Sequence, residues 1–116
     1  MERKVNNYRK SNIKGVMCVT IDIKRKEDRT TVKIVGSLDA ITAPVFEKTI
    51  RDSIGDTQNL VLDLEGLEDV SDAGVSAILE VQRKMQRFGS LKAIGVRESI
   101  RTVFERTGVV HVLAIE

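Results

Sequence analysis

The residues of this chain with the clearest potential for chemistry lie at Val70–Gly74, where a hydrophobic segment gives way to an amphipathic one. Ser71 and Asp72 stand at the predicted start of a helix, whose first N–H groups lack intrahelical partners and carry the positive end of the helix dipole. Ser and Asp are favoured caps there, and a cap is worth about 1 kcal/mol. The same amides also suit a phosphate group. On these residues alone, the turn predicts a helix N-cap, with phosphate binding as the alternative.

The other reactive side chains of the sequence are isolated. His111 is the only histidine, falls in a predicted last strand, and has no neighbouring serine or cysteine to activate. Cys18 is the only cysteine, so the chain cannot form an internal disulfide or the usual zinc ligand sets. The eight glycines form neither a GxGxxG motif nor a P-loop. The sequence therefore predicts a protein that is not an enzyme and that uses no metal and no cofactor.

The elements that position these residues must fit within one domain, because the chain has 116 residues. Its composition, 41% hydrophobic and 31% charged, suits a globular protein, and the net charge of +2 is too small to name a partner. Charged residues interrupt the apolar segment that follows the N-terminus, so no run reaches the length of a signal peptide or membrane span. We therefore expect a cytoplasmic protein without membrane insertion.

The N-terminal segment, residues 1–14, is polar and basic and shows no hydrophobic period, which predicts a flexible arm ahead of a domain spanning 15–116. Its cations could contact nucleic-acid phosphates. Tyr8 is its only aromatic residue, however, and leaves little surface on which bases could stack. A solvated arm, with no nucleic-acid partner, is the preferred interpretation.

The hydrophobic pattern predicts an α/β fold with a mixed, mostly parallel sheet of about five strands and three or more helices packed on it. Strands separated by helices pair in parallel through right-handed crossovers, whereas the first two strands form an antiparallel hairpin. The predicted strands are Met17–Lys24, Thr31–Val35, Leu60–Leu64, Leu91–Val96 and Val109–Ile115. The predicted helices run from about Thr42 to Gly55, from Ala73 to Phe88, and around Ile100–Phe104 to Gly108.

Three segments, in this order and spacing, resemble the STAS domain family of anti-sigma factor antagonists. They are Gly36–Ala43, Val61–Leu64 followed by Ser71–Gly74, and Phe104–Gly108. The similarity covers residues 15–115 and agrees with the predicted order of elements. It implies a single STAS-like domain.

The resemblance also implies a regulatory function in transcription and signalling. Such a protein binds a serine kinase-like anti-sigma factor and thereby frees a sigma factor. In that family a serine of the regulatory turn is phosphorylated by the partner, and the resemblance places Asp72 at the acceptor position, with Ser71 before it. A carboxylate cannot accept phosphate from a serine kinase, so Asp72 would act either as a partial mimic of the modified state or as a permanently unmodified surface.

The predicted docking face combines this turn with the preceding loop at the same end of the sheet. Asp72, Ser71 and Asp69 supply one part of it. Gly74 and Val75 would let a partner approach closely. The residues expected from the loop are Ser37, Asp39, Ala40 and Ile41.

A second reading stays open beside this one. It is a STAS subunit of a transporter or of a signalling scaffold, where a missing phosphoacceptor would be natural. A weak homodimer is a further expectation about partners.

Overall fold

The computed structural model describes residues 2–10, 19–27, 29–54 and 57–116, and these form one sheet with helices packed against it. Met17 and Cys18, the first two residues of the predicted strand Met17–Lys24, lie outside this part of the chain. The strands are β1 (Glu2–Lys10), β2 (Val19–Lys26), β3 (Arg29–Leu38), β4 (Asn59–Val70), β5 (Ser90–Ile94) and β6 (Ala114–Ile115). The helices are α1 (Ala43–Ile54), α2 (Asp72–Phe88) and α3 (Glu98–Thr107).

The sheet is mixed and mostly parallel, as the sequence predicts. Its strands lie in the order β1 to β6, with β1–β2 and β2–β3 antiparallel. The pairs β3–β4, β4–β5 and β5–β6 are parallel, and α1, α2 and α3 in turn connect their strands. The predicted α/β architecture is therefore confirmed, with β2 to β6 as the five predicted strands.

The N-terminal segment differs from the flexible arm that we predicted. Residues 2–10 form β1, an edge strand that pairs with β2 from Glu2 opposite Lys26 to Lys10 opposite Val19. Backbone groups along the free side of β2 can pair with another strand whatever its side chains. For this reason a polar segment without a hydrophobic period can extend the sheet. Residues 1 and 11–14 of the predicted arm lie outside the described residues.

The last predicted strand is also wrong over most of its length. Residues Val109–His111 form a 3₁₀ turn, and only the two residues of β6 follow as strand. Val109 and Leu113 are both buried, and the Leu113 N–H donates to the Val109 carbonyl over 2.9 Å. A separation of four residues between buried side chains fits a helical turn better than a strand. His111 therefore lies exposed in a turn.

The burial pattern shows which parts of the sheet the helices cover. Leu60, Val61 and Leu62 are buried in succession, so both faces of β4 are covered at this point, as expected of a central strand. In β2 and β3 the fully buried residues alternate with more exposed ones, because only one face is covered. Among the described residues, the helices leave the second face of the sheet open over β2 and β3.

A buried pair of hydroxyls provides a test of this packing. Thr30 and Thr57 are almost fully buried, and their Oγ1 atoms lie 2.6 Å apart. We expect Thr57→Val to lower the free energy of unfolding by about 1–3 kcal/mol, because it leaves the Thr30 hydroxyl buried without a partner. The double variant Thr30→Val/Thr57→Val should lower the free energy of unfolding by clearly less than the sum of the effects of the two single variants. Urea unfolding of all four proteins measures this, and simple additivity would contradict the assignment.

Candidate functional site

The two predicted site segments are adjacent at one end of the sheet. The parallel pairing of β3 with β4 sets Ser37 opposite Asp69 and Leu38 opposite Val70. One residue further on, the Ser71 N–H donates to the Leu38 carbonyl over 2.8 Å. This bond joins the start of α2 to the end of β3. The loop before α1 and the turn before α2 therefore form one continuous surface.

Within this surface, the predicted residues divide into exposed and buried groups. Ala40, Ile41, Asp69 and Asp72 are exposed, and Ile41 keeps 49% of its surface in contact with solvent. Sequence reasoning missed Glu68, which is also exposed beside Asp69. Glu68 lies where β4 continues beyond the end of its neighbour β5. The local pattern could not predict this position. We call these exposed side chains the acidic face: Ala40, Ile41, Glu68, Asp69 and Asp72.

Three predicted contact residues are instead buried beneath this surface. Ser37, Gly74 and Val75 are buried, and Val75 belongs to the hydrophobic core. A Cβ atom added at Gly74 would lie 2.5 Å from the Leu38 carbonyl oxygen. The glycine therefore allows α2 to pack closely on β3. We had expected Gly74 to let a partner approach closely, and this expectation is wrong.

Ser71 is the N-cap residue of α2, but its hydroxyl does not do the capping. Its backbone is extended, its side chain makes no capping hydrogen bond, and its Oγ is buried with no partner among the described residues. The Ser71 carbonyl accepts the first helical bond from the Val75 N–H over 2.9 Å. The backbone alone therefore begins the helix at Ser71.

Asp39 caps the turn that leads into α1. Asp39 Oδ1 accepts the N–H groups of Ile41 and Thr42, both over 2.9 Å. In return, the Asp39 N–H donates to Thr42 Oγ1 over 2.9 Å. This reciprocal pair is the arrangement of a capping box. The Thr42 hydroxyl further donates to the Ser37 carbonyl over 2.7 Å and ties the loop to the end of β3.

The same bonds set the ionisation of Asp39. Partial burial would raise the pKa of its carboxyl, but the hydrogen bonds from Thr42 and Ile41 outweigh this effect. They lower the pKa below its ordinary value of 3.8. Asp39 is therefore ionised at neutral pH, and its charge is directed into the loop that it holds.

The described residues offer little chemistry beyond this end of the sheet. Within residues 2–10, 19–27, 29–54 and 57–116, no cluster of three or more His, Cys, Asp or Glu is arranged to hold a metal ion. In that same part of the chain, no helix has both the length and the apolar character needed to cross a bilayer. The distinguishing feature is thus an α/β domain with a charged surface where β3, β4 and α2 meet.

This architecture is that of a known family. The model of the STAS domain matches residues 20–116, and the chain belongs to that family. An anti-sigma factor antagonist from Mycobacterium paratuberculosis is similar in structure, with 20% identity, 84% of each chain covered and a TM-score of 0.76.

Two further solved structures share the fold. The anti-sigma factor antagonist SpoIIAA of Bacillus, in its unphosphorylated form, has 16% identity, a TM-score of 0.71, and coverage of 83% of this chain and 87% of its own. A sulfate transporter family protein from Wolinella succinogenes has 21% identity, a TM-score of 0.67, and coverage of 77% of this chain and 74% of its own. Anti-sigma factor antagonists and a sulfate transporter family protein therefore both occur among proteins of this fold.

The close contact at Gly74 predicts an unusual effect on stability. Replacing a glycine by alanine inside a helix normally stabilises it, by up to about 1 kcal/mol. Here we expect Gly74→Ala to destabilise the protein by about 1–3 kcal/mol, because α2 must move away from Leu38. Ser76→Ala, at an exposed position of the same helix, is the matched control and should change little. A stabilising Gly74→Ala in thermal or urea unfolding would show that this packing is wrong.

The lowered pKa of Asp39 predicts a pH-dependent contribution to stability. A carboxyl whose folded pKa lies below its unfolded pKa stabilises the fold above the unfolded value and loses that contribution as the pH falls through the folded one. We expect Asp39→Ala to cost about 1 kcal/mol at pH 7 and progressively less below pH 4. Asp39→Asn keeps an acceptor but cannot titrate, so its stability difference from Asp39→Ala should not depend on pH in this range. Urea unfolding at several pH values tests both statements.

Proposed function

We propose that this chain is an anti-sigma factor antagonist that binds a serine kinase-like anti-sigma factor through the acidic face. The observation that carries this proposal is the bond between Ser71 and Leu38, which presents Asp69, Asp72 and Ile41 on one exposed surface. Membership of the STAS family supports the proposal, as do the structures of two antagonists with the same fold. The protein would act by binding, without catalysis, in the cytoplasm.

The chemistry of the acidic face indicates what the partner must offer. Glu68, Asp69 and Asp72 are exposed carboxylates, so the complementary surface carries Lys or Arg. A single charge pair at 4 Å contributes about 1 kcal/mol in water and about 4 kcal/mol at an effective dielectric constant of 20. Ile41 adds an exposed apolar side chain that an apolar hollow in the partner would cover. Charge would then guide association, and burial of Ile41 would add affinity.

We further propose that phosphorylation of this turn does not regulate the interaction. Ser71 has the only hydroxyl between residues 71 and 74, and its Oγ is buried. Asp72 supplies one permanent negative charge in the first turn of α2, where it also favours the helix dipole. Unlike a phosphoserine, this charge cannot be added or removed. Control of the complex would therefore come from the amounts of the two proteins or from another site.

A second candidate function is that of a STAS subunit in a transporter complex. The fold that the chain shares with the Wolinella succinogenes sulfate transporter family protein favours it. The enclosed Ser71 hydroxyl agrees equally well with this function. The two candidates differ in the partner that they require.

Affinity capture from native lysate distinguishes these candidates. The full chain serves as bait, with the double variant Asp69→Lys/Asp72→Lys as the matched control. We expect an ATP-binding anti-sigma factor among the proteins captured by the wild type and its loss from the variant, with unmodified Ser71 in the mass spectrum. Capture of a membrane transporter by both baits would favour the second candidate. Phosphate on Ser71 would contradict the proposed absence of a switch.

Titration against the captured anti-sigma factor tests the acidic face directly. We expect Asp72→Lys and Asp69→Lys each to weaken binding by about tenfold or more, because each places a like charge against a basic surface. Glu105→Lys makes the same change of charge at an exposed position on α3 and is the matched control. Its affinity should stay within about twofold of the wild type, as expected for an exposed charge outside the interface. Equal affinities for all three variants would exclude the acidic face from the interface.

A further inference from the structure

The charges of this chain are divided unevenly along the sequence. Residues 1–35 contain ten Lys and Arg against four Asp and Glu, whereas residues 36–116 contain nine against thirteen. The small net charge of +2 therefore hides a basic N-terminal third and an acidic remainder. Such an asymmetry does not affect the fold, but it does affect association.

The fold concentrates the positive charges at the tip of the β2–β3 hairpin. Lys26 lies opposite Arg29 in the antiparallel pairing, and Lys24 lies two residues before Lys26. All three are exposed. Two acids, Glu27 and Asp28, stand between Lys26 and Arg29 in the sequence, so residues 24–29 contain four Lys and Arg against two Asp and Glu. We call Lys24, Lys26 and Arg29 the basic end. The start of β1 adds two cations and one acid to this end, since the register sets Lys4 opposite Lys24, Arg3 opposite Arg25 and Glu2 opposite Lys26.

Like charges opposite each other in a sheet destabilise it. Lys26 and Arg29 form such a pair, and neither makes an ion pair with another described residue. An anionic partner would relieve this repulsion. The open face of β2 and β3 leaves the basic end accessible to one.

The chain itself carries the complementary surface, but at the opposite end of the sheet. Arg29 begins β3, and Leu38, whose carbonyl accepts the Ser71 N–H of the turn before α2, ends it. The ten residues of β3 span about 30 Å. The Debye length at physiological salt is about 8 Å, so the two surfaces cannot neutralise each other within one molecule. They can meet only between molecules.

We propose that the basic end of one copy binds the acidic face of a second copy, head to tail. Such a contact uses two different surfaces, so it generates an open chain or a ring and not a closed two-fold dimer. It also covers the acidic face of every copy except the one at the end of an open chain. Self-association would then compete with any other partner for that face.

Sedimentation velocity on the purified full chain tests this proposal without any other protein, so its failure would leave the proposed function untouched. At about 0.01 M salt, where the Debye length is about 30 Å, we expect species that grow with protein concentration. At about 1 M salt, where it is about 3 Å, association should weaken by at least about tenfold. A chain that stays monomeric at low salt would overturn the proposal.

Neutral substitutions identify the two surfaces. Lys26→Gln/Arg29→Gln removes the basic end, and Glu68→Gln/Asp69→Asn removes most of the acidic face, so neither variant should associate alone. Their equimolar mixture should form a heterodimer and nothing larger, since each variant contributes one intact surface. Arg101→Gln/Arg106→Gln, on exposed positions of α3, is the matched control and should associate like the wild type. Loss of association in only one of the two end variants, or equal loss in the control, would overturn the proposal.

Discussion

The hydrogen bond from the Ser71 N–H to the Leu38 carbonyl is the interaction on which the arrangement of this surface depends. It continues the parallel pairing of β3 and β4 for one step beyond the last paired residues, Leu38 and Val70. Because it fixes the residue before α2 against β3, the start of that helix has one position relative to the loop before α1. Two segments separated by some thirty residues thus act as a single surface.

Close packing and capping fix the two sides of this contact. Gly74 lets the first turn of α2 approach the Leu38 carbonyl, and the reciprocal bonds of Asp39 and Thr42 hold the loop that follows Leu38. Gly74 and Thr42 are buried, and Asp39 directs one carboxylate oxygen into the loop. Ile41, Asp69 and Asp72 are exposed and take no part in this capping or packing, so under the proposed function they are the side chains left for recognition.

A surface made of carboxylates has a charge that does not depend on modification. The enclosed hydroxyl of Ser71 and the exposed carboxylate of Asp72 give this STAS domain a fixed electrostatic character at the end of the sheet. Binding to such a surface responds to concentration, to ionic strength and to competition among partners, because these are the variables that remain. Competition between a second copy and another protein for the acidic face would be one form of such control.

The sequence by itself determined the order of the elements from β2 to α3, the mixed sheet and the family, because hydrophobic periodicity and helix boundaries are local properties of the chain. It also located Asp69, Asp72 and Ile41 in one region, since consecutive parallel strands end on the same side of a sheet. Only the tertiary structure decided that Gly74 and Val75 are buried, that Asp39 caps the turn before α1, and that residues 2–10 form an edge strand. The turn before α1 is held by local bonds between residues three to five positions apart. The other two findings depend on contacts between distant segments: the approach of α2 to Leu38 and the unpaired side of β2. Local pattern carries no information about such contacts, because the same residues would suit a surface or an interior equally well.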